Sequence, residues 1–87
     1  FPAVALARHC GTAGGALPAI FNAANEVVVD AFIKDLVKFT EIIPTVEQIV
    51  AQYETGSLPT IRDLSDVSAI EEDARKRTSI HLAKVAS

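Results

Sequence analysis

The side chains best suited to specific polar chemistry lie in one short string, Asn22, Asn25 and Glu26, inside an otherwise apolar segment. Asn22 and Glu26 are one helical turn apart and therefore share a side, with Asn25 next to them. Two amides and a carboxylate can satisfy the backbone groups of an abutting segment, and the intervening alanines allow a close approach. We therefore interpret the three residues as candidates for a polar interface network. A plain solvated surface and a catalytic role are the alternatives.

The single His–Cys neighbourhood fits a structural role better than a reactive one. A zinc site needs about four convergent ligands, and only His81 remains to join His9 and Cys10. Adjacent residues on a helix also point about 100° apart, so this pair does not form a nucleophile with its base. We expect Cys10 to be a small apolar core residue. We assign no catalytic, cofactor-binding or metal-binding residue in this sequence.

A charged segment near the C-terminus has the order that a solvated helix favours. Glu71 and Glu72 precede Arg75 and Lys76, which complements the helix dipole and predicts two ion pairs with a spacing of four residues. The formal net charge of −3 disfavours a phosphate-binding surface, so we do not expect a nucleic-acid partner. The segment is interpreted as a self-paired surface.

The longest apolar pattern predicts the helix that carries the polar string. Its residues recur at spacings of three and four, which is typical of one buried helical face. They are Leu17, Ile20, Phe21, Ala24, Val27, Val28, Ala31 and Phe32. The pattern predicts a central helix over Leu17 to Phe39, although the apolar spacing breaks near Leu36 to Phe39. An exposed ion pair is expected between Asp30 and Lys34.

Three further helices are expected around the central one. The first covers about Ala3 to Cys10 with Gly11 as its stop. The third begins at a Thr40 cap, or at Pro44 after a turn, and ends at Gly56. Its apolar stripe consists of Ile42, Val46, Ile49, Val50 and Tyr53. The fourth begins at Ser65 or Asp66. It follows a turn in which Ile61 and Leu64 should dock as apolar side chains, and it should fray after Arg75. The fold class is all-α, a small four-helix bundle-like domain with short loops and mostly antiparallel neighbours, forming a single domain over residues 1–87.

Composition sets limits on the class of protein. The 87 residues are 49% hydrophobic, which is enough for a core, and no apolar run approaches the roughly 18 residues of a membrane span. One cysteine permits no internal disulfide, in keeping with a reducing compartment. The sequence contains no methionine. We therefore expect Phe1 not to be a translation start and the chain to be a fragment or a processed product of a protein that continues upstream.

Several short runs occur together in a specific arrangement. They are Phe1-Pro2-Ala3-Val4, Leu6-Ala7, Gly14-Gly15, Pro18-Ala19-Ile20-Phe21-Asn22-Ala23-Ala24-Asn25-Glu26-Val27, Ala31-Phe32-Ile33 and Phe39-Thr40-Glu41-Ile42. This combination resembles the C-terminal helical domain of the 1-deoxy-D-xylulose 5-phosphate reductoisomerase family. The close similarity covers roughly the first half of the chain. The chain departs from the family at Ala16, where Thr is common, and at Asp35 and Lys38, in a turn where Gly is common.

The resemblance implies a supporting role in a larger enzyme. Members of the family convert 1-deoxy-D-xylulose 5-phosphate to 2-C-methyl-D-erythritol 4-phosphate in non-mevalonate isoprenoid biosynthesis, with NADPH and Mg²⁺ or Mn²⁺, as homodimers. Their nucleotide-binding Rossmann-like domain and their catalytic domain have no counterpart in this sequence. We therefore expect the fragment alone to be inactive and to bind neither cofactor.

The remaining expectations concern partners and location. The expected partner is the remainder of the enzyme subunit. The isolated domain is expected to self-associate. Neither a membrane nor a nucleic acid is expected as a partner. The expected location is the cytoplasm, or a plastid in a plant. The alternative hypothesis is an independent helical module that binds another protein through the Asn22 side of the central helix.

Overall fold

The computed structural model describes residues 3–86 and contains four α-helices. They are α1 (Ala3–Ala13), α2 (Leu17–Ile33), α3 (Ile42–Thr55) and α4 (Leu64–Ala86), and a 3-10 turn over Phe39–Glu41 precedes α3. No strand occurs within the described range, so the predicted all-α class is confirmed. None of the described helices combines the length and apolarity needed to cross a bilayer.

Helix α2 is the centre of the bundle and packs against each of the other three helices. Half of its buried residues are alanines, which let the neighbouring helices approach closely. Its buried residues are Leu17, Ile20, Ala23, Ala24, Val28 and Ala31. Phe32, which the apolar pattern placed on this face, is instead 36% exposed.

The relative directions of the helices follow from their cross-contacts. Glu26 in α2 meets Arg75 in α4, and further along both helices Ala31 and Leu82 line the same groove. Helices α2 and α4 therefore run parallel, which corrects the expectation of mostly antiparallel neighbours for this pair. Helix α3 follows α2 after a short connection and packs against it, in keeping with the antiparallel expectation.

Helix α1 is longer than the sequence pattern predicted because Gly11 does not stop it. The helix continues through Gly11 to Ala13, and Gly14 takes the left-handed conformation with φ 68°. The Gly14 N–H donates to the Cys10 carbonyl at 3.1 Å, which is the hydrogen bond of an αL C-cap. Gly15 follows with φ 58°, so the two glycines together reverse the chain into α2.

Helix α2 ends earlier than predicted, at Ile33 rather than at Phe39. The Leu36 N–H donates to the Ala31 carbonyl at 2.9 Å and the Asp35 N–H donates to the Phe32 carbonyl at 3.0 Å. These two bonds define a Schellman motif. Asp35 occupies its left-handed position with φ 61°, where glycine is the usual residue.

Helix α3 begins at Ile42 after the 3-10 turn, and it ends at Thr55 with Gly56 as its C-cap, in agreement with the predicted stop. Thr40 lies inside the 3-10 turn and is not the expected cap. The carboxylate of Glu41 instead accepts the Lys38 N–H at 3.0 Å and so secures the start of the turn.

Helix α4 begins at Leu64 with Asp63 as its cap, which corrects the expected start at Ser65 or Asp66. The Asp63 carboxylate accepts the Asp66 N–H at 3.1 Å and the Ser65 hydroxyl at 2.7 Å. The Ser65 bond and then the Asp66 bond hold the pKa of Asp63 below its usual range. Ile61 and Leu64, which were expected to dock inward, are 37% and 85% exposed.

The C-terminal half of α4 is ordered helix, contrary to the predicted fraying after Arg75. Ile70, Ala74 and Thr78 form a buried line at a spacing of four, and Leu82 packs against the same core. Thr78 is 0% exposed, and its hydroxyl donates to the Ala74 carbonyl at 2.7 Å. The Thr78 side chain is therefore buried in the core with its hydroxyl hydrogen-bonded.

The two glycines at the end of α1 should respond to alanine in opposite directions. Gly11→Ala should raise the free energy of unfolding by up to about 1 kcal/mol, because Gly11 is helical, exposed and has no atom within 4 Å of an added Cβ. Gly14→Ala should lower it by roughly 1 kcal/mol, because alanine is strained at positive φ. Urea titration of both variants measures the difference. Equal effects of the two substitutions would contradict the observed helix end.

Candidate functional site

The polar string of α2 faces outward. Asn22 and Glu26 are exposed and Asn25 is half-buried, whereas the alanines between them, Ala23 and Ala24, are 1% and 0% exposed. Successive residues of this string therefore lie in turn on the polar outer side of the helix and on its closely packed inner side. This arrangement places the three predicted site residues on one accessible face, which we call the Asn22 face.

Of the three predicted residues, Glu26 makes a side-chain contact within the bundle. The Arg75 guanidinium donates to its carboxylate from Nη2 at 3.2 Å and from Nε at 3.3 Å, which links α4 to α2. An exposed pair of this kind contributes only about 0–1 kcal/mol. Arg75 is therefore paired with Glu26 rather than with Glu71 as the spacing suggested. The other predicted exposed pair, Asp30 with Lys34, is confirmed at 2.9 Å.

The amides of Asn22 and Asn25 have no hydrogen-bond partner among residues 3–86. Both side chains lie on the accessible side of α2, so their donors and acceptors are directed away from the bundle. The predicted interface role of Asn22, Asn25 and Glu26 stays a prediction.

A second polar cluster, which the sequence interpretation missed, joins α3 to α4. The Tyr53 hydroxyl donates to the Asp73 carboxylate, and the Arg77 Nε lies 3.0 Å from the same carboxylate oxygen. The Arg77 guanidinium also lies over the Tyr53 ring, 4.2 Å from its centroid, in a cation–π contact. The spacing of four residues between Asp73 and Arg77 was the available sequence signal.

This cluster perturbs the phenol strongly. Tyr53 is 3% exposed. Burial first, then the hydrogen bond to Asp73 and the charge of that carboxylate, raise the pKa of Tyr53 well above its usual range, while Arg77 acts in the opposite direction. The effect favours the neutral phenol, so at neutral pH the group serves as a hydrogen-bond donor that ties the two helices together.

His9 and Cys10 lie in different surroundings. His9 Nε2 lies 2.8 Å from Glu54 Oε2, which joins α1 to the end of α3. Cys10 is 1% exposed, as expected of a core residue, and burial, followed by the charge of Glu54, raises the pKa of its thiol. Among residues 3–86 no three His, Cys, Asp or Glu side chains are grouped closely enough to hold a metal ion.

An apolar groove of about 320 Å³ lies between the end of α2 and the second half of α4. Its apolar lining comes from both helices and from the turn after α2. These residues are Val27, Ala31, Leu36, Val37, Leu82 and Ala83, with Asp30, Lys34 and Ser79 also on its wall. The groove carries no convergent set of titratable groups that would suggest catalysis.

Comparison with known proteins gives a consistent result. The model of the family described as DXP reductoisomerase C-terminal domain matches residues 1–77. The match therefore extends well beyond the first half of the chain, to which the motif resemblance was closest. It includes α1, α2, α3 and more than half of α4.

Curated relatives carry the same name. The 1-deoxy-D-xylulose 5-phosphate reductoisomerase of Kitasatospora griseola is 51% identical over 77 residues, which are 88% of this chain and 20% of that protein. The protein of the same name from Rhodospirillum centenum is 44% identical over 79 residues, covering 91% and 19% of the two chains. That of Corynebacterium glutamicum is 34% identical over 87 residues, covering 100% and 22%. The chain spans about one fifth of the length of these relatives.

The single tyrosine provides a test of the α3–α4 cluster. Because the folded state holds the phenol proton to higher pH than the unfolded chain, the cluster's contribution to stability is fully present below about pH 10 and is lost as pH rises beyond it. Tyrosinate absorbance should therefore appear together with the loss of helical circular dichroism. Ionisation of Tyr53 at its ordinary pKa of about 10, with the helices intact, would contradict the cluster.

Two variants serve as controls for that titration. Asp73→Asn should lower the pH at which tyrosinate appears, because it removes the negative charge that opposes ionisation. Tyr53→Phe should lower the free energy of unfolding at neutral pH by about 1 kcal/mol, the value of one hydrogen bond, and should flatten the alkaline loss of stability.

Proposed function

The chain belongs to the DXP reductoisomerase C-terminal domain family, and from this premise we propose that it is the structural C-terminal domain of a 1-deoxy-D-xylulose 5-phosphate reductoisomerase. Its task in this proposal is to pack against the rest of the enzyme subunit and to brace it. The observation that carries the proposal is the combination of a family match over residues 1–77 with coverage of about one fifth of each relative.

The activity that we propose belongs to the whole enzyme. It rearranges and reduces 1-deoxy-D-xylulose 5-phosphate with NADPH and a divalent cation, giving 2-C-methyl-D-erythritol 4-phosphate for isoprenoid biosynthesis. The enzyme acts as a homodimer in the cytoplasm, or in a plastid if the source is a plant. Residues 1–87 form one helical domain of that enzyme and contribute support rather than reacting groups.

The side chains of the described range do not fit either cofactor. No cluster of three metal-ligating side chains occurs among residues 3–86. The same range contains no strand that could precede the glycine-rich turn of a dinucleotide site, and Gly14 and Gly15 instead end α1. We therefore derive no reaction step from these residues and assign NADPH and the metal to the remainder of the enzyme.

We further propose that the Asn22 face docks on that remainder. Outward amides next to fully buried alanines support this, because they present donors and acceptors on a helix that is held rigidly by the bundle. The competing hypothesis is an independent interaction module. The coding sequence upstream of Phe1 separates the two, since a reductoisomerase-like sequence supports the domain and an unrelated one supports the module.

Titration calorimetry tests whether cofactor binding belongs to the remainder of the enzyme and not to this domain. The 87-residue chain should bind neither NADPH nor Mn²⁺ stoichiometrically, because the described residues offer no site for either. The Kitasatospora griseola reductoisomerase, measured in the same buffer, is the matched positive control. Tight stoichiometric binding of either cofactor to the isolated chain would overturn the supporting role.

The Asn22 face is tested by the same substitutions in two contexts. In the isolated chain, Asn22→Ala should be neutral or should stabilise by up to about 0.5 kcal/mol, because the exposed asparagine is a weaker helix former than alanine. In the full-length reductoisomerase that carries this domain, Asn22→Ala and Asn25→Ala should each destabilise by roughly 1–2 kcal/mol, because groups of the docked segment lose their partners.

The control for these substitutions is Gln48→Ala on α3, which changes another exposed amide. It should have little effect in either context. Thermal unfolding and turnover are measured together, and turnover should fall only as the folded fraction falls. An Asn22→Ala enzyme of normal stability without turnover would show that the residue has a chemical role.

A further inference from the structure

The end of α2 exposes four large apolar side chains within eight residues. Ile33, Leu36 and Phe39 are 73%, 68% and 72% exposed, and Phe32 is 36% exposed. The Phe32 and Phe39 rings contact each other edge to face, with centroids 5.8 Å apart. We call these four residues the α2-end surface. Single exposed apolar residues are ordinary, whereas a cluster of this kind marks a contact surface.

The α2-end surface continues into the apolar groove. Leu36 belongs to both, because it lines the groove beside Ala31 while most of its surface remains exposed. The Schellman motif fixes this position, since the Leu36 N–H is bonded to the Ala31 carbonyl. The exposed side chains therefore border a concave site of about 320 Å³ that a partner's side chain can enter.

The α2-end surface is also continuous with the Asn22 face. Asn22, Asn25, Val29 and Ile33 are separated by three, four and four residues, so they form one stripe along α2. Val29 is half-buried and Ile33 is exposed. The outer side of α2 thus has polar groups in its first half and apolar groups at its end, which is the composition of a docking surface with an apolar centre and a polar margin.

The length of the relatives indicates what covers this surface. About four fifths of each relative lies outside the matched segment, and the matched family is a C-terminal domain. Helix α1 packs against α2 and reverses into it through Gly14 and Gly15, so α1 begins towards the end of the bundle where α2 ends. The polypeptide that precedes α1 in such relatives is therefore tethered near the α2-end surface at high effective concentration.

We propose that the α2-end surface and its groove are covered by an apolar surface of the remaining part of the same subunit. This inference rests on the proposed function and adds to it the location of the apolar contact. The bundle supplies a rigid groove edge, and the remainder of the subunit supplies the apolar side chains that fill it. A second copy of this domain would be a different occupant, and the experiment below distinguishes the two.

Thiol labelling of Ile33→Cys tests the proposal, with Gln48→Cys on α3 as the matched exposed control. In the isolated chain, at a concentration where light scattering gives a monomer, both thiols should react equally fast, while buried Cys10 reacts slowly. In the full-length reductoisomerase, labelling at position 33 should slow by roughly tenfold or more, because the thiol reacts only when the contact opens. Labelling at position 48 should be unchanged.

Two results would overturn the proposal. Equal labelling of both positions in an active full-length enzyme would show that the surface is open, and the proposed function would stand without it. Protection of position 33 in a defined dimer of the isolated chain would identify a second copy as the occupant. The proposed function itself fails by a different result, an upstream coding sequence unrelated to a reductoisomerase.

A second variant gives an independent measurement. Ile33→Lys should leave the thermal midpoint of the isolated chain unchanged, because the residue is 73% exposed there. In the full-length enzyme it should lower the midpoint by several degrees, because an unpaired charge is placed in an apolar contact. An unchanged midpoint in both proteins would contradict the apolar contact.

Discussion

The structure depends on the close packing of one helix against three others. Helix α2 can hold this position because alanines occupy much of its inner face, with Ala23 and Ala24 almost completely buried. Small side chains reduce the distance between helix axes, so that backbone approaches backbone and the core remains thin. A larger residue at either position would separate two helices at once. The outer face of α2 is free of this constraint and can carry other groups.

The features of the fold that were predictable from the sequence are those in which burial alone decides structure. The stripe of α3, from Ile42 to Tyr53, is buried as its spacing indicates, and Cys10 is a core residue. The predictions from sequence were wrong where something other than burial determines the structure. Gly11 was interpreted as a stop, yet the helix ends only where Gly14 has positive φ. The continuation of α4 was not predicted because Thr78, a polar residue, interrupts the apolar pattern. Its hydroxyl is bonded to the Ala74 carbonyl of the same helix, so that it can be buried.

The candidate site was partly predictable for a related reason. The spacing of Asn22, Asn25 and Glu26 was sufficient to place them together on one exposed face, because helical geometry is local. The partner of Glu26 could not be inferred, since Arg75 is distant in sequence and the parallel arrangement of α2 and α4 is a tertiary property. The cluster around Tyr53 was missed because it also crosses between helices. The exposure of Leu36 depends on where α2 ends, which the apolar pattern did not define.

The turn after α2 has a consequence for mutational drift. Its shape is set by backbone hydrogen bonds and by a left-handed residue at Asp35, a conformation open mainly to Gly, Asn and Asp. As long as position 35 holds a residue of this kind, the direction in which the side chain at position 36 points is kept, whatever apolar residue replaces Leu36. Neighbouring side chains can then change in size together with the surface that they meet, while the path of the chain stays the same. Complementary surfaces in such a domain can co-vary in sequence without any alteration of the fold that presents them.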